Sequence, residues 1–467
     1  MDGGITILAT MPGQPWQACP HTQRVREPRT LMADPERPPL ARHVRTWLAA
    51  SLSCSAACGC VHQPSRPAAP TAPATAQQTS VPASSTGSDS SAALDAMRRI
   101  SLMRPFEGGI DTPVMHNQIN GYVMIDAANN AGAALNDTVF AVRRADISVQ
   151  HMLRFDWLFY ADAQLVDGRF ELKDVYLRKQ TRYFGVVTIG NQQEPFGLEQ
   201  FGSFRNTTFL ERATTNALAP SRSIGITSSD FHGPWIWSYG FYTAGSKDEG
   251  RTQRGVALTG RLAYLLKTDS GPYHLAIDYS TRRAGPDNDQ HFQSASEVAL
   301  SSGDYFLDTG SITGSNKVQR YGLEVAHVAG PFSWQGEYME AHLQRNDGLP
   351  ALRFRGWYGY ASWMITGESR DYRESNATFG PVVPHASWNG RSGGALEVGV
   401  RLSMTDLNDR DVVGGKETNV TLGVNWYLDK SVRLSANLVH AIDLNKPGSP
   451  DSGDHPTAIV GRLQYQF

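Results

Sequence analysis

The chain has 467 residues, a net charge of −2, a pI near 6.7 and a mean hydropathy of −0.36. There is no global basic field to attract nucleic acid, and no uncharged apolar run approaches the ~20 residues of a membrane-crossing helix. Neither exclusion reaches membrane strands, which need an apolar side chain only at every second position.

Residues 1–60 are expected to be an N-terminal extension with an export signal. The first 31 residues lack periodicity, and Met32 is a candidate true start. The stretch "ARHVRTWLAASLSCSAACGC" then places Arg42 and Arg45 before a short semi-apolar run and small residues. "SAAC" faintly resembles a lipoprotein cleavage site acylated at Cys58, without the usual leucine. Cys19, Cys54, Cys58 and Cys60 all lie in this part, so the remainder works without disulfide or thiolate chemistry. Residues 61–116 are expected to be a linker. Up to residue 95 they are Pro, Ala, Ser and Thr with almost no charge, too little apolar surface to offset the entropy of ordering.

From residue 117 apolar and polar side chains alternate in short segments, the mark of strands with two different faces. Roughly sixteen such segments are expected, each close to the ~9–11 residues that cross a bilayer at a tilt. Their centres fall near residues 122, 145, 158, 174, 187, 225, 239, 260, 277, 324, 336, 361, 399, 423, 436 and 463. In "GVALTGRLAYLL", Val256, Leu258, Leu262, Tyr264 and Leu266 oppose Thr259, Arg261 and Ala263. In "RFDWLFYADAQ", Phe155, Trp157 and Phe159 oppose Asp156, Tyr160 and Asp162. "LDKS", "VAGPF" and "LKTDSGPY" read as tight turns. Residues 191–221, 281–318, 342–353, 367–393, 405–417 and 441–456 read as long polar loops. Short turns on one rim and long loops on the other describe an outer-membrane β-barrel, 117–467, with about 16 antiparallel strands. A soluble sandwich or propeller would also alternate. Aromatics near strand ends, charges on the polar faces and a strand that ends on Phe467 favour the barrel.

Several blocks resemble the phosphate-selective porin O and P family. These are "FAVRRADISV", "PFGLEQFGSFRNTTFLER", "YGLEVAHVAGPFSWQGEYM", "ASWMITGE", "LGVNWYLDKSVRLSANLVHA" and "DSGDHPTAIVGRLQYQF". The resemblance implies a passive outer-membrane channel preferring phosphate-type anions, with small anions, outer-membrane lipid and the barrel-assembly machinery as partners, and a homotrimer with one loop folded into the pore. It also implies that Phe467 is an assembly signal. No cofactor, metal or nucleic-acid partner is expected.

The sharpest candidate is "FAVRRADISV". An arginine facing lipid at mid-bilayer would cost ~2–4 kcal/mol, so Arg144, Asp146 and Ser148 should face the lumen. Arg143 would join Arg144 if the strand bulged there. Paired guanidiniums offer donor forks that match phosphate or carboxylate oxygens. In the family these arginines line the constriction; Arg205 aligns with a constriction lysine of the inward loop, and Glu171 falls near an acidic residue that would aid release. Arg212 completes the candidate set, with a role in pinning the loop as the alternative. The alternatives are a salt-bridged, rigid polar wall for Arg143 and Arg144, a surface loop position for Arg205 and an ordinary lumen-wall charge for Glu171. The fifth-loop stretch "STRRAGPDNDQHFQSASEVAL" has Arg282 and Arg283 but not the arginine ladder of strongly phosphate-selective relatives, which weakens the steering field.

No hydrolase elbow, phosphate-binding loop or metal-ligand spacing is present, and the chain is read as not an enzyme. A general, sugar or organic-acid porin remains as the alternative, and stacked inward Tyr358, Tyr360 and Phe201 would support it. An enzyme or adhesin on a barrel is the remote reading.

Overall fold

The computed structural model describes residues 87–103, 110–112, 117–131, 138–166, 169–243, 255–283, 290–294, 297 and 306–467. The expectations for residues 1–60 lie outside the described residues.

Sixteen strands pair antiparallel with their sequence neighbours. They are β1 Asn117–Ala131, β2 Thr138–Met152, β3 Leu158–Val166, β4 Arg169–Gln180, β5 Val186–Gln193 and β6 Arg222–His232. Next come β7 Trp235–Tyr242, β8 Val256–Thr268, β9 Gly271–Arg283, β10 Ser315–Ala329 and β11 Phe332–Arg345. β12 Leu352–Met364, β13 Ala395–Asp409, β14 Val412–Tyr427, β15 Val432–Asn445 and β16 Thr457–Gln466 complete the set. Each centre expected from the sequence falls inside one strand. β16 pairs back onto β1 from Tyr122↔Gln466 to Ala131↔Thr457, so the sheet closes and leaves no edge. Phe467 continues this seam: its N–H donates to the Gly121 carbonyl at 3.0 Å, and Gly121 N–H returns the bond at 3.1 Å. A side chain at Gly121 would collide with the Phe467 ring, so glycine is what lets the terminal residue lie flat on the wall.

The alternation sorts the faces. On β8, Leu258 is 41% exposed while Thr259 is fully buried within the barrel. A one-residue slip would exchange every such pair, so burial of polar residues and exposure of apolar ones fixes the register. Aromatic pairs girdle the rim that carries Phe467: Tyr273 stacks on His327 at 3.7 Å, Trp235 meets Tyr264 at 4.7 Å, and Phe332 stacks on Trp363 at 5.6 Å. The expected strand through Arg154–Asp156 is instead a turn, with Phe155 and Asp156 at positive φ.

Connections on the Phe467 rim are short, as periplasmic turns should be, with one exception. Residues 365–394, expected among the long loops of the opposite rim, join β12 to β13 on this rim. By contrast, 405–417 is no long loop: β13 and β14 meet in a tight turn at Arg410 and Asp411. A second difference concerns the expected linker. Its residues 87–103 form a helix, α1 Gly87–Met103. The run "AALDAMRR" is made of strong helix formers and contains no proline, unlike the Pro-rich stretch before it. Arg98 donates to the carbonyls of Gly233 and Glu374 at 3.3 and 3.2 Å and lies 3.9 Å over the Phe231 ring. Arg99 pairs with Asp230 at 2.7 Å, and Leu102 packs with Val186, Phe231 and Ile236.

Candidate functional site

The β1–β2 ladder pairs Met124 with Arg144 and Ile125 with Val142, and skips Arg143. This β-bulge lets two consecutive residues point inward. Both arginines are accordingly buried, while Val142 and Ile147 on either side of them face outward. A second bulge pairs Ala161 with Val175 and Ala163 with Leu172. It places Lys173 and Asp174 together opposite Asp162, a change of parity that strict alternation could not anticipate.

Residues 194–221 connect β5 to β6 and run inside the barrel, most of them buried and the rest half-buried. Three wall arginines converge on one carboxylate of this inward loop. Glu211 accepts from Arg143 Nε at 3.2 Å, Arg144 Nη2 at 3.4 Å and Arg462 Nη2 at 2.8 Å. Arg462 also clasps Asp126 with two bonds of 2.7 Å. Burial acts to raise the Glu211 carboxyl, but the three guanidiniums overrule it and hold it well below the usual carboxylate range. Other wall residues satisfy the loop's carbonyls: Arg401 donates to Glu211 O at 2.9 Å, Arg433 to Thr207 O at 2.8 Å and Asn425 to Thr208 O at 2.7 Å. On the far side, Glu337 accepts from the backbone N–H groups of Leu198 and Glu199 at 3.0 and 2.7 Å.

Between this loop and the β1–β7 wall lies a cavity of about 220 Å³. Seven cationic side chains line it (Arg144, Lys173, Arg178, Arg205, Arg212, Arg222 and Arg373) against three acidic ones (Asp146, Asp162 and Asp174), a formal excess of four positive charges. Lys173 meets Asp146 at 3.5 Å, and Arg222 forks onto Asp174 at 2.9 and 3.2 Å. The guanidiniums of Arg144 and Arg212 both cover the Phe204 ring, at 4.0 and 5.1 Å, and Arg205 lies 5.6 Å from the Tyr122 ring. Arg212 donates to Gln200 at 2.9 Å and to Gly202 O at 3.0 Å, which braces the inward loop. At the periplasmic end the cavity is bounded by Ser101 and Leu102 of α1 and by Arg373, Asn376, Thr378 and Phe379 of the 365–394 connection.

Of the sequence candidates, Arg144, Arg205 and Arg212 therefore meet around one space. Arg143 stands behind it on Glu211, and Glu171, paired in register with Gln164, stays outside the lining. Lys173, Arg178 and Arg373 were not anticipated; the adjacent charges of "ELKDVYLRK" were the available signal for the first two. Arg282, which the sequence places in the fifth loop's basic start, lies one residue before the end of β9, faces inward and is fully buried on Glu194 and Ser223.

A model of the phosphate-selective porin O and P family matches residues 118–467. An uncharacterized protein of Caulobacter vibrioides is 27% identical over 290 residues, covering 59% of this chain and 57% of the relative. Porin O of Pseudomonas aeruginosa is 34% identical over 157 residues, covering 32% of this chain and 35% of that one. The matches thus span about a third to just over half of these relatives. The anion-selective porin from Comamonas acidovorans superposes with a TM-score of 0.45 at 14% identity, over 75% of this chain and 99% of that chain. The chain belongs to the phosphate-selective porin O and P family and resides in the Gram-negative outer membrane.

Proposed function

From this membership and the charge around the cavity, we propose that the protein is a passive, anion-preferring diffusion channel whose selecting segment is the cavity between the inward loop and the β1–β7 wall. The observation that carries the reading is the excess of four positive charges on the lining. Opposite charges concentrate in a cleft with low-dielectric walls, so anions are enriched there and cations repelled. Phosphate-type anions suit the site best. Arg144 and Arg212, whose guanidiniums lie 4.0 and 5.1 Å from the Phe204 ring, line the cavity together with Lys173 and Arg205, and dense cationic N–H donors of this kind match phosphate oxygens. Asp146, Asp162 and Asp174 keep the site from becoming a trap, since conduction needs exit as well as entry.

In this reading Arg143 is chiefly a positioning residue that helps Arg144 and Arg462 hold Glu211. Glu171 shapes the field above the site. Phe467 serves assembly, presented at the end of the closing strand. Assembly as a homotrimer, export through residues 1–60 and insertion by the barrel-assembly machinery complete the proposal. The sugar-channel alternative is disfavoured by a specific feature: Tyr358 and Tyr360 do stack, with rings 6.2 Å apart, but both are buried and bonded to Glu337 and Gln335. They offer no open aromatic slide.

The test is block of chloride current by inorganic phosphate in planar bilayers. Replacing Lys173 and Arg205 together by Gln should weaken phosphate block by about tenfold or more, the loss of roughly 1.4 kcal/mol or more of attraction. Undiminished block in that variant would remove the cavity from the selecting path.

A further inference from the structure

The outer wall also carries charge, and it is gathered in one place. We infer that the extracellular rim of β9–β12 is a lipid-facing site for the phosphorylated headgroup of an outer-leaflet glycolipid.

The cross-strand register builds the site row by row. In the uppermost row Arg283 faces Lys317, which faces Gln344. In the next, Gln319 faces His342 and His342 faces Arg353. In the third, Tyr321 faces Glu340 and Glu340 faces Arg355. Alternation fixes the direction of these side chains. Their chain neighbours Arg282, Val318, Leu343, Leu352 and Phe354 are all buried inside the barrel, so Arg283, Lys317, Arg353 and Arg355 point outward. Arg353 keeps 58% of its side chain exposed even while it donates to Glu340 at 2.5 Å. Glu340 also accepts from Tyr338 at 2.5 Å and bonds His342, so one carboxylate organises the patch from beneath. Asp406 lies opposite Arg355, and Asp409 accepts from the Arg353 backbone N–H at 2.7 Å, so among the described residues Arg283, Lys317, Arg353 and Arg355 stand against Glu340, Asp406 and Asp409.

Height identifies the occupant. Tyr279 and Tyr321, with rings 5.4 Å apart, stand in the third row, and the row beneath it runs Ile277, Leu323, Tyr338 and Trp357, where aliphatic side chains begin to face hydrocarbon. Aromatics of this kind mark the level of the headgroups. The cations therefore lie at and above the interface, where the outer leaflet of this membrane presents glucosamine phosphates on multiply acylated lipid. Among the described residues elsewhere on this rim, β1 and β2 present Asn129, Thr138 and Phe140, β7 and β8 present Phe241 and Val256, and Lys416 is paired with Asp443 at 2.6 Å.

The experiment uses the full chain folded in detergent, with diphosphorylated hexa-acyl lipid A as probe and bound lipid counted by native mass spectrometry. Wild type should retain diphosphorylated lipid A at least tenfold more tightly than its fully dephosphorylated form. The variant R283Q/K317Q/R353Q/R355Q should lose that preference, with single-channel conductance unchanged because none of these side chains enters the lumen. Should the fourfold variant not fold, R353Q/R355Q alone should lower retention severalfold and R353K/R355K should restore it. Equal retention of the two lipids by wild type overturns the proposal. So does undiminished retention by the variants, or a change in oligomeric state without a change in bound lipid, which would make the patch a contact between copies of this chain.

Discussion

Two halves of the same lumen are lined differently. Along β1–β6 the inward Arg144, Asp146, Asp162, Lys173, Asp174 and Arg222 border the cavity. Along β10–β13 the inward positions include Val318, Met339, Leu343, Leu352, Phe354 and Leu407. Here the inward loop contributes Phe196 and Leu218, and the β9–β10 connection contributes Phe292, Leu307 and Ile312, to one dry cluster. The lesson is that "inside" a barrel is not one environment. Where loops pack down, the lumen behaves as an ordinary protein core; where they stand off, it is a channel wall. The cavity lies to one side because loops fill the lumen beside the extracellular ends of β10–β13.

The seam between the halves is the inward loop, and breaking its clamp should have the largest effect. Glu211→Gln leaves Arg143 and Arg144 facing a neutral amide and Arg462 with Asp126, at a cost of about 3–5 kcal/mol of barrel stability in urea unfolding, with noisier open-channel current. The pH dependence has a definite sign. A carboxyl depressed in the folded state stabilises above its unfolded value of about 4.5 and loses this contribution only as pH falls through its lower folded value. Current noise should therefore be flat from neutral pH down to about 5 and rise only in stronger acid. A change near pH 6–7 would point to a histidine instead.

Phe354→Ala probes the dry half. It removes a fully buried ring that packs 5.2 Å from Phe292, and should cost about 3–4 kcal/mol in the same unfolding assay while leaving anion preference intact. A variant that keeps its stability but changes selectivity would erase the distinction between the halves. The smallest effect is expected from Glu171→Gln, outside the lining of the wet half: a change in phosphate block of less than tenfold and no measurable loss of stability.

The strands were legible because lipid imposes period two on every crossing. The inward turn of Arg143 and Arg144 was legible for the same reason, since neither could face hydrocarbon. What alternation cannot carry is a contact between residues far apart in sequence. Glu211 lies 68 positions from Arg143, and nothing in either stretch names the other. Lys173 was hidden by a bulge that shifts parity by one residue. The 365–394 connection was readable as a loop, yet its rim depends on counting strands, and the expected loop at 405–417 obscured the count. Helix α1 was masked by the composition of the Pro-rich residues before it. The apolar inward residues of β10–β13 gathered in one cluster, among them Val318, Leu343, Leu352 and Phe354, blurred a pattern that assumes a wet lumen throughout.

The central claim, that the open half of the lumen selects anions through its excess of lining cations, is tested most directly by reversal potential. With the purified full chain in a planar bilayer under a potassium chloride gradient, the account predicts a zero-current voltage displaced toward the chloride equilibrium potential. Displacement toward the potassium equilibrium potential would contradict it.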